Sequence, residues 1–299
     1  MTRRPIGGVP IAIAVFTIWG LFPSFFKLLA GVPPTEILAH RILWSAVFMA
    51  GLVATGGRFA ALRAIAANRR TLLLLMLSAS LITVNWLTYV DAVTSNHVLE
   101  ASLGYFMAPL ASVALGRLVL GERLTLVQTL ACVIAALAVG AYALGVGWAV
   151  WRSLLLAVSF GSYGLVRKLV PAEALPGFAA ECFLLLPIAG GYLLLLWLQG
   201  QAHMSLDAPV RSIELVLAGL LTSVPLIGYS TAARRLRLST LGLLQYITPS
   251  IQFLLGVLVY AEPFDLARLL AFAAIWGALV IYSLESLRLS RGAVVTGRA

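Results

Sequence analysis

Three side chains able to hold or hand on a proton stand together early in the chain: Glu36, His40 and Arg41. Glu36 and His40, four residues apart, share one face of a helix, and Arg41 is turned from His40 by about 100°. Such a set suits an acid/base site. It equally suits an outer gate, in which Glu100 or Glu36, paired to Arg41 or a histidine, carries a coupling proton. The acid/base reading is a membrane-embedded enzyme acting on a lipid or lipid-linked group, and it requires Glu36, His40 and Arg41 to converge on one pocket. No nucleophile elbow, phosphate loop, dinucleotide fingerprint or metal-ligand spacing accompanies them, so no cofactor and no metal is expected.

A second group of residues offers hydrogen bonds and flat rings. Tyr105, Pro109, Ser112 and Gly116 follow one another at spacings of 4, 3 and 4 and share a helical face. Gln245, Pro249, Gln252 and Gly256 repeat that face 140 residues later. Asn85 and Tyr89, with Trp86 beside them, form another polar stripe, and Trp19 and Tyr229 lie in two further apolar stretches. Amides, phenols and indoles together suit an amphipathic organic solute. The expected solute path is therefore Trp19, Asn85, Trp86, Tyr89, Glu100, Tyr105, Ser112, Tyr229, Gln245 and Gln252. The expected gate or coupling group is Glu36, His40, Arg41 and Glu100. Gly116 and Gly256 read as close helix contacts. Glu122 and Glu262 each begin a short connection, where capping or turn chemistry is expected.

These residues must be positioned by membrane spans. Of the 299 residues 61% are hydrophobic and 11% charged, and the mean hydropathy is +1.00. A water-soluble fold has no way to bury so much apolar surface. Ten runs of about 20 residues can each cross roughly 30 Å of hydrocarbon. They cover 8–28, 34–54, 72–92, 98–118, 125–145, 149–168, 178–199, 213–235, 239–260 and 266–287. The net charge of +10 does not mark a nucleic-acid binder, because the basic residues sit in short clusters between spans. Alternate connections carry 16 of the 21 Lys and Arg residues, which places both termini in the cytoplasm. Cys132 and Cys182 lie inside apolar runs and read as small buried hydrophobes.

The chain also repeats itself. Over residues 103–144, 13 positions match the residue 140 places on, from Leu103 and Leu243 through Pro109 and Pro249 to Leu144 and Leu284. Five spans separate the copies, so they cross in opposite directions. The expected fold is an all-α integral membrane protein of ten transmembrane helices, a five-plus-five inverted repeat around a central cavity. Its halves are 1–146 (spans 1–5) and 147–299 (spans 6–10). Spans 1, 3 and 4 and their mates 6, 8 and 9 are expected to line the cavity, with 5 and 10 peripheral. Secondary transporters are commonly built this way. A non-catalytic membrane-complex subunit is the remaining alternative, and a homodimer is compatible with the reading.

Several motifs together resemble the RarD branch of the EamA-type transporters, in the drug/metabolite transporter superfamily. They are Trp19-Gly20 with Pro23 and Lys27, Glu36 to Arg41 with Trp44-Ser45, Asn85-Trp86 with Tyr89, Asn96-His97, Glu100 to Phe106 with Pro109-Leu110, Arg167-Lys168, and Leu244 to Tyr246 with Pro249. Met107-Ala108 departs from the Ile or Leu followed by Asn that the resemblance leads one to expect. The resemblance implies two EamA-like repeats in a bacterial inner membrane, a central cavity, and transport of a small organic solute, a metabolite or drug-like molecule, through the lipid bilayer. No ATP site is visible in the sequence, so the driving force is a proton, other ion or solute gradient, or transport is facilitated.

Overall fold

Proline and glycine punctuate the apolar runs, and the helices fall between them. Pro33 and Pro34 open the second helix, where a missing N–H costs nothing. Gly57, Gly121 and Gly200 follow helix ends with φ of 62°, 64° and 68°, a backbone that residues with a side chain rarely adopt. Thr125 and Gln128 exchange hydrogen bonds as a reciprocal cap on the helix that begins at Leu126.

A computed structural model describes residues 7–29, 31–94, 98–144, 150–259 and 266–295. Among these the regular elements are all helices. In chain order they are α1 (Gly8–Leu28), α2 (Pro34–Thr55), α3 (Phe59–Ala67), α4 (Arg69–Thr94), α5 (Val98–Leu120), α6 (Leu126–Leu144), α7 (Val150–Leu169), α8 (Ala174–Leu198), α9 (Pro209–Arg235), α10 (Leu238–Leu244), α11 (Ile247–Leu258) and α12 (Leu266–Val295). Among the described residues five stretches are long and apolar enough to cross a membrane: Gly8–Phe26, Pro34–Thr55, Arg69–Tyr89, Ala174–Leu198 and Pro209–Arg235. Shorter apolar helices cover Gly104–Leu120, Leu126–Ala141 and Ala273–Tyr282. Asn96, His97 and Glu262 lie outside the described residues, as do the side chains of Lys27 and Glu100 and the surroundings of Gly256.

The run 239–260, expected as one span, is two helices. Pro249 has no N–H to give the carbonyl four residues back, and its ring crowds that carbonyl. The carbonyl belongs to Gln245, which accepts from the Thr248 N–H at 3.1 Å in a tighter turn instead. The helix breaks there. Pro109 stands in the same relation to Tyr105, yet α5 continues through it.

Polarity is distributed inside out. Leu137, Ile188, Trp197, Leu198 and Leu258 are exposed, while Glu36, Arg41, Asn85, Arg167, Glu181 and Ser223 are buried. Apolar side chains that face outward need a hydrocarbon solvent, and buried polar groups need partners within the bundle.

Helix contacts come in matched sets. α5 packs on α7, and α11 on α1; α4 packs on α7, and α9 on α1; α2 packs on α9, and α8 on α4. The remaining large contacts are α2 with α8, α5 with α10 and α6 with α12. α6 and α12 pack through Ala131, Ala135, Ile275 and Ala278 in a cluster that joins the bundle by way of Phe106, Leu243 and Tyr246.

Candidate functional site: a cavity between the helices

The cavity is built where broken or bent helices meet aromatic ones. α1 supplies Trp19, Phe22 and Phe26; α2 supplies Arg41; α4 supplies Asn85, Trp86 and Tyr89; α5 supplies Tyr105; α7 supplies Phe160. Gln245 at the break and Thr248, Pro249 and Gln252 on α11 complete the wall. The space between these side chains, open mouth included, is about 640 Å³. Tyr105 and Gln245, one from each half of the chain, both line this space and both sit four residues before a proline.

Arg41 is the charged member of the wall. Its guanidinium lies 4.0 Å from the Trp86 ring centroid and 5.4 Å from that of Phe26. Its Nε donates to Thr222 Oγ1 at 2.8 Å. A desolvated cation over an indole is stabilised by about 2 kcal/mol, far less than a buried charge costs without a partner. Asn85 donates through its amide nitrogen to Leu156 O and Ser159 Oγ, both at 3.0 Å. Its Oδ1 and the Oε1 of Gln245 are buried acceptors without a partner among the described residues. Gln252 donates weakly to Trp19 O at 3.4 Å, and Tyr89 and Tyr105 lie with ring centroids 5.4 Å apart.

Below the cavity the structure is closed by rings. Tyr229 touches Phe16, Trp19 and Phe160, and it stacks on Tyr163 with centroids 5.7 Å apart and planes 19° apart. Under the rings lies a buried ion pair, Arg167 Nη1 to Glu181 Oε1 at 3.1 Å, with Arg167 Nε on Ser230 Oγ at 2.9 Å. At that same end Glu122 closes on α10: Oε1 takes the Leu238 N–H at 2.7 Å, and Oε2 takes the Ser239 N–H and hydroxyl at 3.0 and 2.7 Å. Burial alone would raise the Glu122 pKa. The Ser239 hydroxyl, the two backbone N–H groups and Lys168 outweigh it and hold the carboxyl below the ordinary carboxylate range.

The structure sorts the expected residues by place. Trp19, Asn85, Trp86, Tyr89, Tyr105, Gln245, Gln252 and Arg41 surround one cavity. Ser112 does not reach it: Ser112 lies at the crossing of α5 and α10, against Gly242. Tyr229 lies one layer beneath, so α9 supports the cavity without lining it, and α2 lines it instead. Glu100 is in α5, and its side chain is outside the described ones.

Glu36 and His40 stand apart from Arg41. Glu36 is fully buried, and its two oxygens take the backbone N–H and meet the ring Nδ1 of His203, each at 2.7 Å. His40 Nε2 is 3.8 Å from Glu36 Oε1. Five residues along a helix turn a side chain by about 140°, which points Arg41 into the cavity and Glu36 toward the α8–α9 connection. Of the two partners expected for Glu36, Arg41 or a histidine, the structure shows the histidine. His203, 167 residues from Glu36, carried no local signal. Phe22, Phe26 and Thr248 were also unmarked, being ordinary residues for apolar helices.

Comparison with known proteins gives a consistent result. The sequence pattern of the EamA-like transporter family matches residues 6–144. An "Uncharacterized transporter" of Vibrio cholerae is 42% identical over 286 residues, which are 96% of this chain and 95% of that protein. "Protein RarD" of Escherichia coli is 40% identical over 95% of this chain and 96% of its own length. "Chloramphenicol-sensitive protein RarD" of Pseudomonas aeruginosa is 32% identical over 95% of this chain and 96% of its own length. A solved structure titled "Crystal structure of protein" shares the fold, with a TM-score of 0.67 at 17% identity, over 93% of this chain and 97% of that one.

Proposed function

This chain belongs to the RarD branch of the EamA-like transporter family, and from that premise we propose that it is an inner-membrane secondary carrier moving a small organic solute by alternating access. The observation that carries the reading is a cavity walled by both halves of the chain: α1, α2, α4 and α5 from 1–146, and α7, the Gln245 break and α11 from 147–299. Unpartnered acceptors on Asn85 and Gln245 suit a solute site, since buried polar groups left open are costly unless something fills them.

The two halves act as inverted repeats. With α10 and α11 read as one broken crossing and α3 as a surface helix, ten crossings remain. Exchanging each with its counterpart five crossings later returns the same set of large contacts. The end that carries Glu122, Lys168 and Arg237 is cytoplasmic by its share of Lys and Arg. Both termini lie on that side. The cavity reaches toward the opposite end, at Phe26 and Tyr89, and is shut below by Tyr229 and Tyr163. This is the outward-facing member of an alternating pair. A carrier fits better than an enzyme, because Glu36 and His40 do not join Arg41 in the cavity wall.

The test is solute counterflow in proteoliposomes with a metabolite panel, with and without a proton gradient. Tyr105→Phe or Gln252→Ala should cut transport about 10-fold with folding intact, the cost of one lost solute hydrogen bond. Normal transport in both variants would remove the cavity assignment.

A further inference from the structure

Among the described residues Arg41 has no counter-charge. It is 6% exposed, and among the described residues no carboxylate pairs with it. Its Nε is taken by Thr222, whose own hydroxyl donates to Ala218 O at 2.7 Å. Its two Nη groups have no protein acceptor among the described residues. Arg167, equally buried, shows what the fold does with an arginine that it needs for structure: Glu181, Ser230 and the Ala174 carbonyl hold its fork. Arg41 has instead an aromatic face, Trp86, 4.0 Å away. Stacking occupies the flat face of a guanidinium and leaves its edge free, which is the geometry that takes a carboxylate with two parallel hydrogen bonds.

We propose that the cavity selects small organic carboxylates with a planar apolar body, the carboxylate held by the Arg41 edge. This rests on the carrier reading given above. The phenols of Tyr89 and Tyr105 stand beside the guanidinium and add donors for an anion. Trp86 and Phe160 offer faces for the planar body. Asn85 Oδ1 and Gln245 Oε1 are acceptors, so an N–H or O–H on the solute finds an open partner in either of them. An organic cation is disfavoured by the charge of Arg41, and a neutral solute leaves that charge unpaired.

Three probes of similar shape separate the possibilities: phenylacetate, phenylacetamide and phenethylamine. Binding is read by thermal shift of the full chain in maltoside micelles free of phospholipid, which keeps lipid phosphate out of the site. Transport is read by counterflow in proteoliposomes. The expected result is that phenylacetate binds at least 10-fold more tightly than phenylacetamide, and that Arg41→Gln removes the difference while Arg41→Lys keeps part of it. If phenylacetamide or phenethylamine matches phenylacetate, the carboxylate inference is overturned and the carrier reading stands. If none of the three binds, the inference is again overturned, and the wider metabolite panel alone decides the carrier reading. Stability provides a readout that a structural arginine would not share. Without solute, Arg41→Met should melt at least as high as the parent, because an unpaired buried charge is removed. A clear fall in its melting temperature assigns Arg41 to structure and overturns the proposal.

Discussion

Glu122 accepts twice from Ser239, which is 117 residues further along the chain: its Oε2 takes the hydroxyl at 2.7 Å and the N–H at 3.0 Å. Together with the Leu238 N–H this satisfies the first N–H groups of α10, and it ties the α5–α6 turn to the start of the broken crossing. Gly116 makes room for it, since a Cβ there would meet Glu122 Oε2 at 2.9 Å. Lys168 Nζ and Arg237 Nε lie 3.7 and 3.9 Å from the carboxylate. Under the carrier reading proposed above, this end must come apart for the cavity to open inward.

Glu122→Gln should therefore cost about 1–3 kcal/mol at neutral pH, the range for loss of hydrogen bonds to a charged acceptor. The pH dependence has a fixed sign. The folded pKa of Glu122 is below its ordinary value of 4.5, so its contribution is complete above that value and is lost as pH falls through the folded pKa. Melting temperatures of parent and variant should differ by a constant amount above about pH 5.5 and converge in more acid solution. A gap that stays constant down to pH 3 would refute the carboxylate's role.

Arg167 and Glu181 form a buried pair whose partners depend on each other. Glu181→Leu alone leaves a buried guanidinium and should destabilise by about 3–5 kcal/mol; Arg167→Met with Glu181→Leu should cost less than that single change. A double-mutant cycle of thermal unfolding in detergent measures this. Additive losses would mean that the pair is not coupled.

Much of this architecture was legible in the chain. Apolar runs gave the helices, and polar residues within them marked most of the cavity wall, because a buried amide or phenol in such a run has few reasons to be there. What was not legible depends on contacts between distant segments. Glu36 read as a partner for Arg41 or a histidine, and only the fold shows that the histidine is His203, from the α8–α9 connection, on both its oxygens. Ser112 shares a face with Tyr105, but the face meets the cavity at one end and α10 at the other. Glu122 was readable as a turn or capping residue, whereas the helix it caps belongs to the other half. Pro249 and Pro109 hold matching positions in the repeat, yet the span breaks at Gln245 while α5 runs on through Pro109.

The crossing of α5 and α10 should tolerate no added methyl group. A Cβ on Gly242 would stand 2.8 Å from Ser112 Cβ and 2.9 Å from Pro109 O. Neither is the free end of a flexible side chain. Gly242→Ala should destabilise by about 1–3 kcal/mol, as overpacking does, even though alanine is the better helix former. Thermal unfolding of the purified chain checks it, and a variant as stable as the parent would show that the two helices separate more readily than their contact suggests.

Pro249 should matter more for movement than for stability. Pro249→Ala restores an N–H that can reach the Gln245 carbonyl, and it removes the ring that crowds it. The α10–α11 break should then close toward a continuous helix, with the melting temperature equal to or above that of the parent. Transport should fall several-fold, because the break sets where Gln245 and Gln252 stand in the cavity wall and gives the crossing a hinge. Hydrogen exchange over residues 245–250, expected to slow, separates this from a local packing defect, which would speed exchange and lower the melting temperature. Unchanged counterflow with slowed exchange would show that the break is a feature of the fold that transport does not use.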